Sequence, residues 1–300
     1  MAAFAQTLAS AALRLWIALP RRAASALHAL LAPAALLLKP RIRARLRARL
    51  GDASPFLAET PRPARVLRAV ADEVHASARI LASLGTARRD GPEIRLVGEE
   101  ILERLAAADS SAPAPSAVPG HRGGEEPGRK ARAAQAPFVV LFGIHQGLWE
   151  LLPGAIAARG LAVHVPAARL KCGDDVVRAL RAAENVEYFP GNELPLKIRA
   201  LARGEQSNQV LALLVDQPGP NCKETVSLFG RERVWWSAPL RTAKRCGAAI
   251  VPFSVSKEGD GAKIELFPPL EGAPEEMGPL SAKWAEARIQ AAPASWVWYY

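Results

Sequence analysis

Two apolar stretches, each followed at once by polar residues, decide the fold of this chain: FVVLFGIHQGLWE at residues 138–150 and VLALLVDQPG at residues 210–219. Their runs of consecutive apolar residues are typical of strands that are buried on both faces. Such strands belong to parallel sheets, in which functional side chains follow the carboxyl ends of the strands. The polar residues after Phe142 and after Val215 are therefore the first candidates for a site.

The chain around these two stretches alternates between strand and helix patterns. Further strands are predicted at 94–97, 162–165, 186–189, 249–255 and 264–267, and helices at 64–84, 99–107, 147–158, 174–183, 195–202, 239–245 and 281–291. This alternation predicts an α/β fold, with a mostly parallel central sheet and helices on both faces.

Composition excludes several classes of protein. With 50% hydrophobic and 23% charged residues, the 300-residue chain is neither wholly disordered nor a multi-span membrane protein. Its three cysteines, Cys172, Cys222 and Cys246, are far apart, so they suggest neither a disulfide framework nor a zinc site. No GxGxxG, P-loop or GxSxG motif is present, so we find no signature of a bound nucleotide or a serine hydrolase.

The positive charge is concentrated at the N-terminus. Of the 39 basic side chains, nine lie in residues 1–50, which contain no acid, so the other 250 residues carry a net charge of only about +1. This distribution argues against a nucleic-acid-binding surface spread over the fold and favours a separate basic segment at the N-terminus. We therefore divide the chain into a basic apolar segment (1–50), expected to associate with a membrane, and an α/β domain (51–300).

Segment 1–50 is too interrupted by charge to predict a membrane span. Its longest run without a charged residue is residues 23–38, which is 16 residues, whereas a membrane span needs about 20. We expect one or two helices on the bilayer surface, with Trp16 at the interface and the arginines of residues 41–49 at anionic headgroups. The alternative is a set of ordinary helices that pack on the core with a solvated basic face.

Two further segments carry predictions of their own. Residues 110–136 are dense in Pro, Gly, Ala and charge, which predicts a disordered surface insertion within the α/β domain. Trp235 and Trp236 are adjacent, and neighbouring residues of a strand point to opposite faces, which favours an exposed, membrane-facing pair over a place in the core.

His145 and Glu150 form an H-x4-E pair, but spacing alone is weak support, because His121 and Glu126 repeat it inside the insertion. His145 differs because it comes at the end of a strongly apolar strand, and Gly147, two residues later, allows a close backbone approach. Within one helix, residues five apart lie about 140° apart around the axis, so we expect His145 on the strand-to-helix turn and Glu150 reaching back. Its carboxylate would then fix the imidazole tautomer. The alternative is a histidine that caps a structural turn.

Several motifs in order resemble the lipid A biosynthesis acyltransferases, a branch of the lysophospholipid acyltransferase superfamily. The similar stretches are HQGLWE (145–150), IRLVGEEILERL (94–105), LALLVDQ (211–217), FG (229–230), GAAIVP (247–252) and PASWVW (293–298). The likeness covers most of the chain except the insertion.

The resemblance implies transfer of a fatty acyl group from an acyl carrier protein thioester to a hydroxyl of a membrane glycolipid, at the cytoplasmic face of the inner membrane. By the same likeness His145 is the general base and Glu150 its orienting partner. The backbone N–H of Gly147 and the side chain of Arg181 are candidate donors to the developing oxyanion; the alternative for Arg181 is a solvated charge on a helix face. Asp216 is expected to position loops or substrate, with a structural turn (Asp-Gln-Pro-Gly) as the alternative. This chemistry requires no metal and no other cofactor.

Two other functions stay open. Departures from the family pattern, such as Leu148 where Asn is usual, are compatible with a catalytically silent membrane-binding relative. The second open function is the same acyl transfer to a lysophospholipid acceptor.

Overall fold

A computed structural model describes residues 2–84, 92–103, 138–170, 173–203, 208–219 and 222–298. Its central sheet has seven strands: β1 (Ile94–Val97), β2 (Val139–Gly143), β3 (Ala162–Pro166), β4 (Val186–Phe189), β5 (Gln209–Leu214), β8 (Ala249–Glu258) and β9 (Gly261–Leu266). They lie in the order β1-β9-β8-β2-β5-β3-β4, and only the β8–β9 pair is antiparallel. The prediction of an α/β fold with a mostly parallel sheet is confirmed.

The helices cover both faces of this sheet. They are α1 (Ala2–Ala18), α2 (Arg21–Leu38), α3 (Pro40–Ala53), α4 (Pro63–Leu84), α5 (described over 99–103), α6 (Leu152–Ala157), α7 (Asp174–Arg181), α8 (Leu194–Ala202), α9 (Ala238–Arg245) and α10 (Met277–Ala291). Side chains of β2 alternate between the two faces. Val140 and Phe142 join a core with α8, α9 and α10, whereas Val139 and Leu141 join one with α5 and α6.

A separate hairpin, β6 (Thr225–Leu228) and β7 (Arg231–Val234), lies outside the central sheet. The sequence patterns miss it because β7 reads Arg-Glu-Arg-Val, which has little of the usual strand composition. The prediction of an exposed tryptophan pair after it is wrong. Trp235 is only 1% exposed and donates from Nε1 to Ser281 at 2.9 Å, and Trp236 packs half-buried against the same core.

Three helices, not one or two, form the N-terminal region. None of the described helices is by itself long and apolar enough to cross a membrane, although α2 and the segment Pro40–Phe56 pass that test as a pair bent by 101°. The predicted insertion at 110–136 lies outside the described residues.

A buried polar cluster ties α1 and α2 to α4. The indole of Trp16 donates to Nε2 of His28 at 2.9 Å, and Nδ1 of His28 lies 2.7 Å from Asp72. His75 is 1% exposed and lies with Nε2 at 3.1 Å from the carbonyl oxygen of Trp16. Trp16, which was expected at a membrane interface, is partly exposed, and its indole N–H satisfies a buried histidine.

Helix α4 also carries a carboxyl group into the interior. Burial raises the pKa of Glu73 to about 7, and the negative charge of the neighbouring Asp72 adds to the rise. Its Oε2 is buried and has no hydrogen-bond partner among the described residues. Below about pH 7 Glu73 is therefore favoured as the neutral acid, because an ionised carboxylate would lack solvation there.

This shift predicts a pH-dependent stability. A carboxyl group whose pKa is higher in the folded than in the unfolded state stabilises the fold only at low pH, and this contribution is lost as pH rises through about 7. Glu73→Gln cannot ionise, so we expect its free energy of unfolding, relative to the unsubstituted protein, to rise by roughly 2 kcal/mol between pH 5 and pH 8.

Urea unfolding at both pH values measures the difference, with the exposed Glu232→Gln as the control for removal of a carboxyl group. An equal difference at both pH values would contradict the assignment.

Candidate active site

His145 and Asp216 meet at the carboxyl edge of the sheet. Strands β2 and β5 are parallel neighbours with Gly143 opposite Leu214, so the residues two positions later lie side by side. Nδ1 of His145 is 2.8 Å from Oδ1 of Asp216, and the backbone N–H of His145 donates to Oδ2 at 2.9 Å. The polar residues that follow the two apolar strands thus form one site.

Asp216 is a buried, ionised carboxylate. Its side chain is 1% exposed, and burial alone would raise its pKa. Attraction to His145 and hydrogen bonds from the His145 ring, the His145 backbone and Trp296 outweigh burial, so the pKa of Asp216 lies below its ordinary value. The Trp296 indole donates to Oδ2 at 2.8 Å. The carboxylate is therefore held by donors from two distant parts of the chain.

An ionised carboxylate can only accept hydrogen bonds, which assigns the tautomer of His145. Nδ1 carries the proton that points to Asp216, so in the neutral ring Nε2 carries the lone pair. The imidazole is 12% exposed. This arrangement can accept a proton at Nε2 while the resulting imidazolium is stabilised by Asp216.

The turn after His145 departs from the predicted helix. Gly147 has a φ of +69°, and a Cβ built there would lie 1.9 Å from the carbonyl oxygen of Val255. The next backbone N–H, that of Leu148, donates to the same oxygen at 3.0 Å. The helix predicted from residue 147 therefore begins later, as a 3-10 turn at Trp149–Leu151 followed by α6.

The backbone N–H of Gly147 was expected to face a developing oxyanion. This expectation stays a prediction. In the structure Gly147 packs closely against Val255.

Glu150 pairs with Arg181 and not with the Nδ1 of His145. Nε and Nη2 of Arg181 donate to the two carboxylate oxygens of Glu150 at 2.8 and 2.6 Å, and both side chains are about four-fifths buried. The prediction that Glu150 holds the tautomer of His145 is corrected, because Asp216 holds Nδ1. Trp149 packs its ring against the imidazole at 5.3 Å between centroids.

The segment after α10 completes the site, and sequence reasoning assigned it no role. The backbone N–H of Val297 donates to the carbonyl of His145 at 3.0 Å, and Gln146 forms a bridge with Trp296. The sequence offered one signal for this segment, the terminal Trp-x-Trp pattern. The contact of Trp296 to Asp216 depends on the tertiary fold and could not be read from that pattern.

In the described part of the chain, no group of three or more His, Cys, Asp or Glu side chains is placed to hold a metal ion.

Comparison with known proteins identifies the family. The model of the bacterial lipid A biosynthesis acyltransferases matches residues 99–300, which is about two-thirds of the chain. No curated protein matches it. The match includes both strands that carry the His145–Asp216 pair, the Glu150–Arg181 pair and the segment with Trp296. The chain therefore belongs to the bacterial lipid A biosynthesis acyltransferase family.

Proposed function

We propose that this protein transfers a fatty acyl group from an acyl carrier protein thioester to a hydroxyl of a membrane glycolipid, with His145 as the general base. The observation that carries the proposal is the 2.8 Å contact between Nδ1 of His145 and the buried carboxylate of Asp216. Membership of the family supports acyl transfer in lipid A biosynthesis. The donor, the acceptor and the residue roles are the proposal.

The proposed reaction has two steps. Nε2 of His145 takes the proton of the acceptor hydroxyl as its oxygen attacks the thioester carbonyl, and a tetrahedral oxyanion forms. The oxyanion then collapses, the carbon–sulfur bond breaks, and His145 returns the proton to the departing thiolate. The products are an ester and the free thiol. Asp216 stabilises the transient imidazolium throughout, and neither step requires a metal or a nucleotide.

Arg181 is the better candidate for stabilising the oxyanion. At the start of the turn, the backbone N–H of Leu148 already donates to the carbonyl oxygen of Val255. A guanidinium has five N–H donors, and Glu150 takes two of them while fixing the plane of the group. In this proposal Glu150 positions Arg181, and the negative charge of the intermediate develops within reach of that pair.

The N-terminal helices are proposed to hold the site at the cytoplasmic face of the inner membrane. Large apolar side chains are exposed on α1 and α2: Leu8, Leu15, Leu27, Leu30, Leu31, Leu37 and Leu38. Helix α3 follows directly and exposes Arg41, Arg45 and Arg47. Exposed leucines beside arginines match an amphipathic attachment to anionic lipid, which would place the acceptor hydroxyl at headgroup depth.

One substitution tests whether Asp216 or Glu150 is the group that orients His145. Asp216→Asn presents an amide to Nδ1 and favours the wrong tautomer, so we expect kcat to fall by about 10² to 10⁴, while His145→Ala abolishes transfer. Acyl transfer from carrier-protein thioesters is measured against glycolipid and lysophospholipid acceptors. The fully exposed Asp260→Asn is the matched control.

Full activity of Asp216→Asn with a normal circular dichroism spectrum would contradict the assignment. Transfer to lysophospholipids alone would change the acceptor but not the mechanism. No transfer by the unsubstituted protein with any donor or acceptor would favour a catalytically silent relative.

A further prediction concerns how tightly the protein binds an anionic bilayer. Replacing Arg41, Arg45 and Arg47 by Gln should weaken binding to vesicles that contain phosphatidylglycerol by about a hundredfold, because each arginine contributes on the order of 1 kcal/mol near an anionic surface. The remaining binding should be less sensitive to salt. Co-sedimentation at 50 and 300 mM salt measures both effects.

The control replaces three exposed arginines elsewhere, Arg178, Arg231 and Arg245, by Gln. Equal losses in the two triple variants would show that net charge, and not helix α3, attracts the protein to the vesicle.

A further inference from the structure

The guanidinium of Arg181 is held both along its edge and on one face. Along the edge, Nε and Nη2 donate to the two carboxylate oxygens of Glu150 at 2.8 and 2.6 Å. The face lies over the ring of Tyr188, with 5.5 Å between Cζ of Arg181 and the ring centroid. The side chain of Arg181 is only 21% exposed, so water is largely excluded from both contacts.

Strand β4 carries Tyr188 in the part of the sheet that leads to the catalytic edge. Strands β2, β5, β3 and β4 are parallel neighbours in that order, so their carboxyl ends share one edge. Tyr188 is the third of the four residues of β4 and pairs with Val165 of β3. The pairing of β4 with β3 therefore fixes the backbone from which the half-buried ring reaches Arg181.

The charge states of the two side chains suit a cation on an aromatic face. Burial would lower the pKa of Arg181, but the hydrogen bonds and the negative charge of Glu150 outweigh it, so the guanidinium stays protonated. Burial raises the pKa of the Tyr188 hydroxyl, and the charge of Glu150 adds to the rise against the opposing effect of Arg181. A permanent cation thus faces a neutral ring, and this attraction is stronger where the groups are desolvated.

The two contacts restrict different motions of the guanidinium. The bidentate pair with Glu150 fixes the edge of the planar group, but the plane can still tilt about that edge. A ring against one face of the plane opposes this tilt. Of the five N–H donors of Arg181, Glu150 takes two, and the direction of the other three depends on the tilt.

We propose that Tyr188 is a positioning residue of the acyl-transfer site: its ring supports the face of the Arg181 guanidinium and so directs the N–H donors that Glu150 leaves free. The effect on catalysis rests on the proposed function, in which Arg181 stabilises the oxyanion. The contact between the ring and the guanidinium does not.

Loss of the aromatic face should lower kcat more than it changes KM. Donors to an oxyanion act on charge that develops in the transition state, whereas the ground-state thioester carries little of it. Removal of one such donor typically lowers kcat by about 10² to 10³, and a misdirected donor should cost part of that.

Three variants test the proposal by their kcat and KM for acyl transfer. Tyr188→Leu removes the aromatic face, and we expect kcat to fall by about tenfold with KM changed by less than about threefold. Tyr188→Phe keeps the face and should stay within about twofold of the unsubstituted protein in kcat. The matched control is Phe189→Leu, which removes a contact of the same length, 5.5 Å to Nζ of Lys197, from the opposite face of the same strand.

Proton NMR of the Arg181 Nε–H measures the contact without any substrate. A proton over an aromatic face is shielded by the ring current, so we expect this signal to move downfield in Tyr188→Leu and to keep its position in Tyr188→Phe and Phe189→Leu. The signal is assigned by its absence in Arg181→Lys.

Two kinetic results would overturn the proposal. Unchanged kcat in Tyr188→Leu would show that the ring does not position Arg181, and an equal loss of kcat in Tyr188→Phe would show that the hydroxyl is the group required. Should Tyr188→Leu not fold, a tenfold loss in Tyr188→Phe alone overturns it. If the unsubstituted protein transfers no acyl group, the proposed function fails. The Nε–H signal then still decides the contact: a shift in Tyr188→Leu alone supports it, and one position in all variants overturns it.

Discussion

The burial of one carboxylate governs the arrangement of this site. Asp216 is removed from water, and an isolated buried charge is so costly that hydrogen bonds and an opposite charge must compensate it. The compensation comes from the ring and backbone N–H of His145 and from the indole of Trp296. These donors follow β2 and α10, so satisfying Asp216 brings the carboxyl edge of the sheet and the C-terminal segment together. The orientation of the catalytic imidazole follows from the same requirement.

Three carboxyl groups of this chain have different environments, which give them different states. Asp216 accepts three hydrogen bonds beside a histidine and has a lowered pKa. Glu150 shares a bidentate ion pair with Arg181. Glu73 has one buried oxygen that finds no partner among the described residues, and its pKa is raised. A side chain's neighbours, and not its type, thus decide which group orients the base, which orients a cation and which acts as a neutral acid.

The sequence predicts the parts of this structure that depend on local pattern. Apolar strands mark the parallel sheet, and the polar residues after β2 and β5 mark its functional edge, because strand polarity alone brings such residues together. The partner of His145 was assigned to Glu150, which is close in sequence. The group that holds Nδ1, Asp216, is 71 residues away, and only the pairing of β2 with β5 makes it a neighbour. Trp296 was missed for the same reason, and Trp235 was misplaced because its partner Ser281 lies on another element.

The tautomer of His145 is the central claim, and nitrogen-15 NMR of the imidazole measures it directly. In the neutral ring we predict a protonated Nδ1 and an unprotonated Nε2, because the Asp216 carboxylate accepts from Nδ1. This preference should be lost in Asp216→Asn and kept in Glu150→Gln. A ring protonated at Nε2 in the unsubstituted protein, or a preference for Nδ1 that survives Asp216→Asn, would contradict the account.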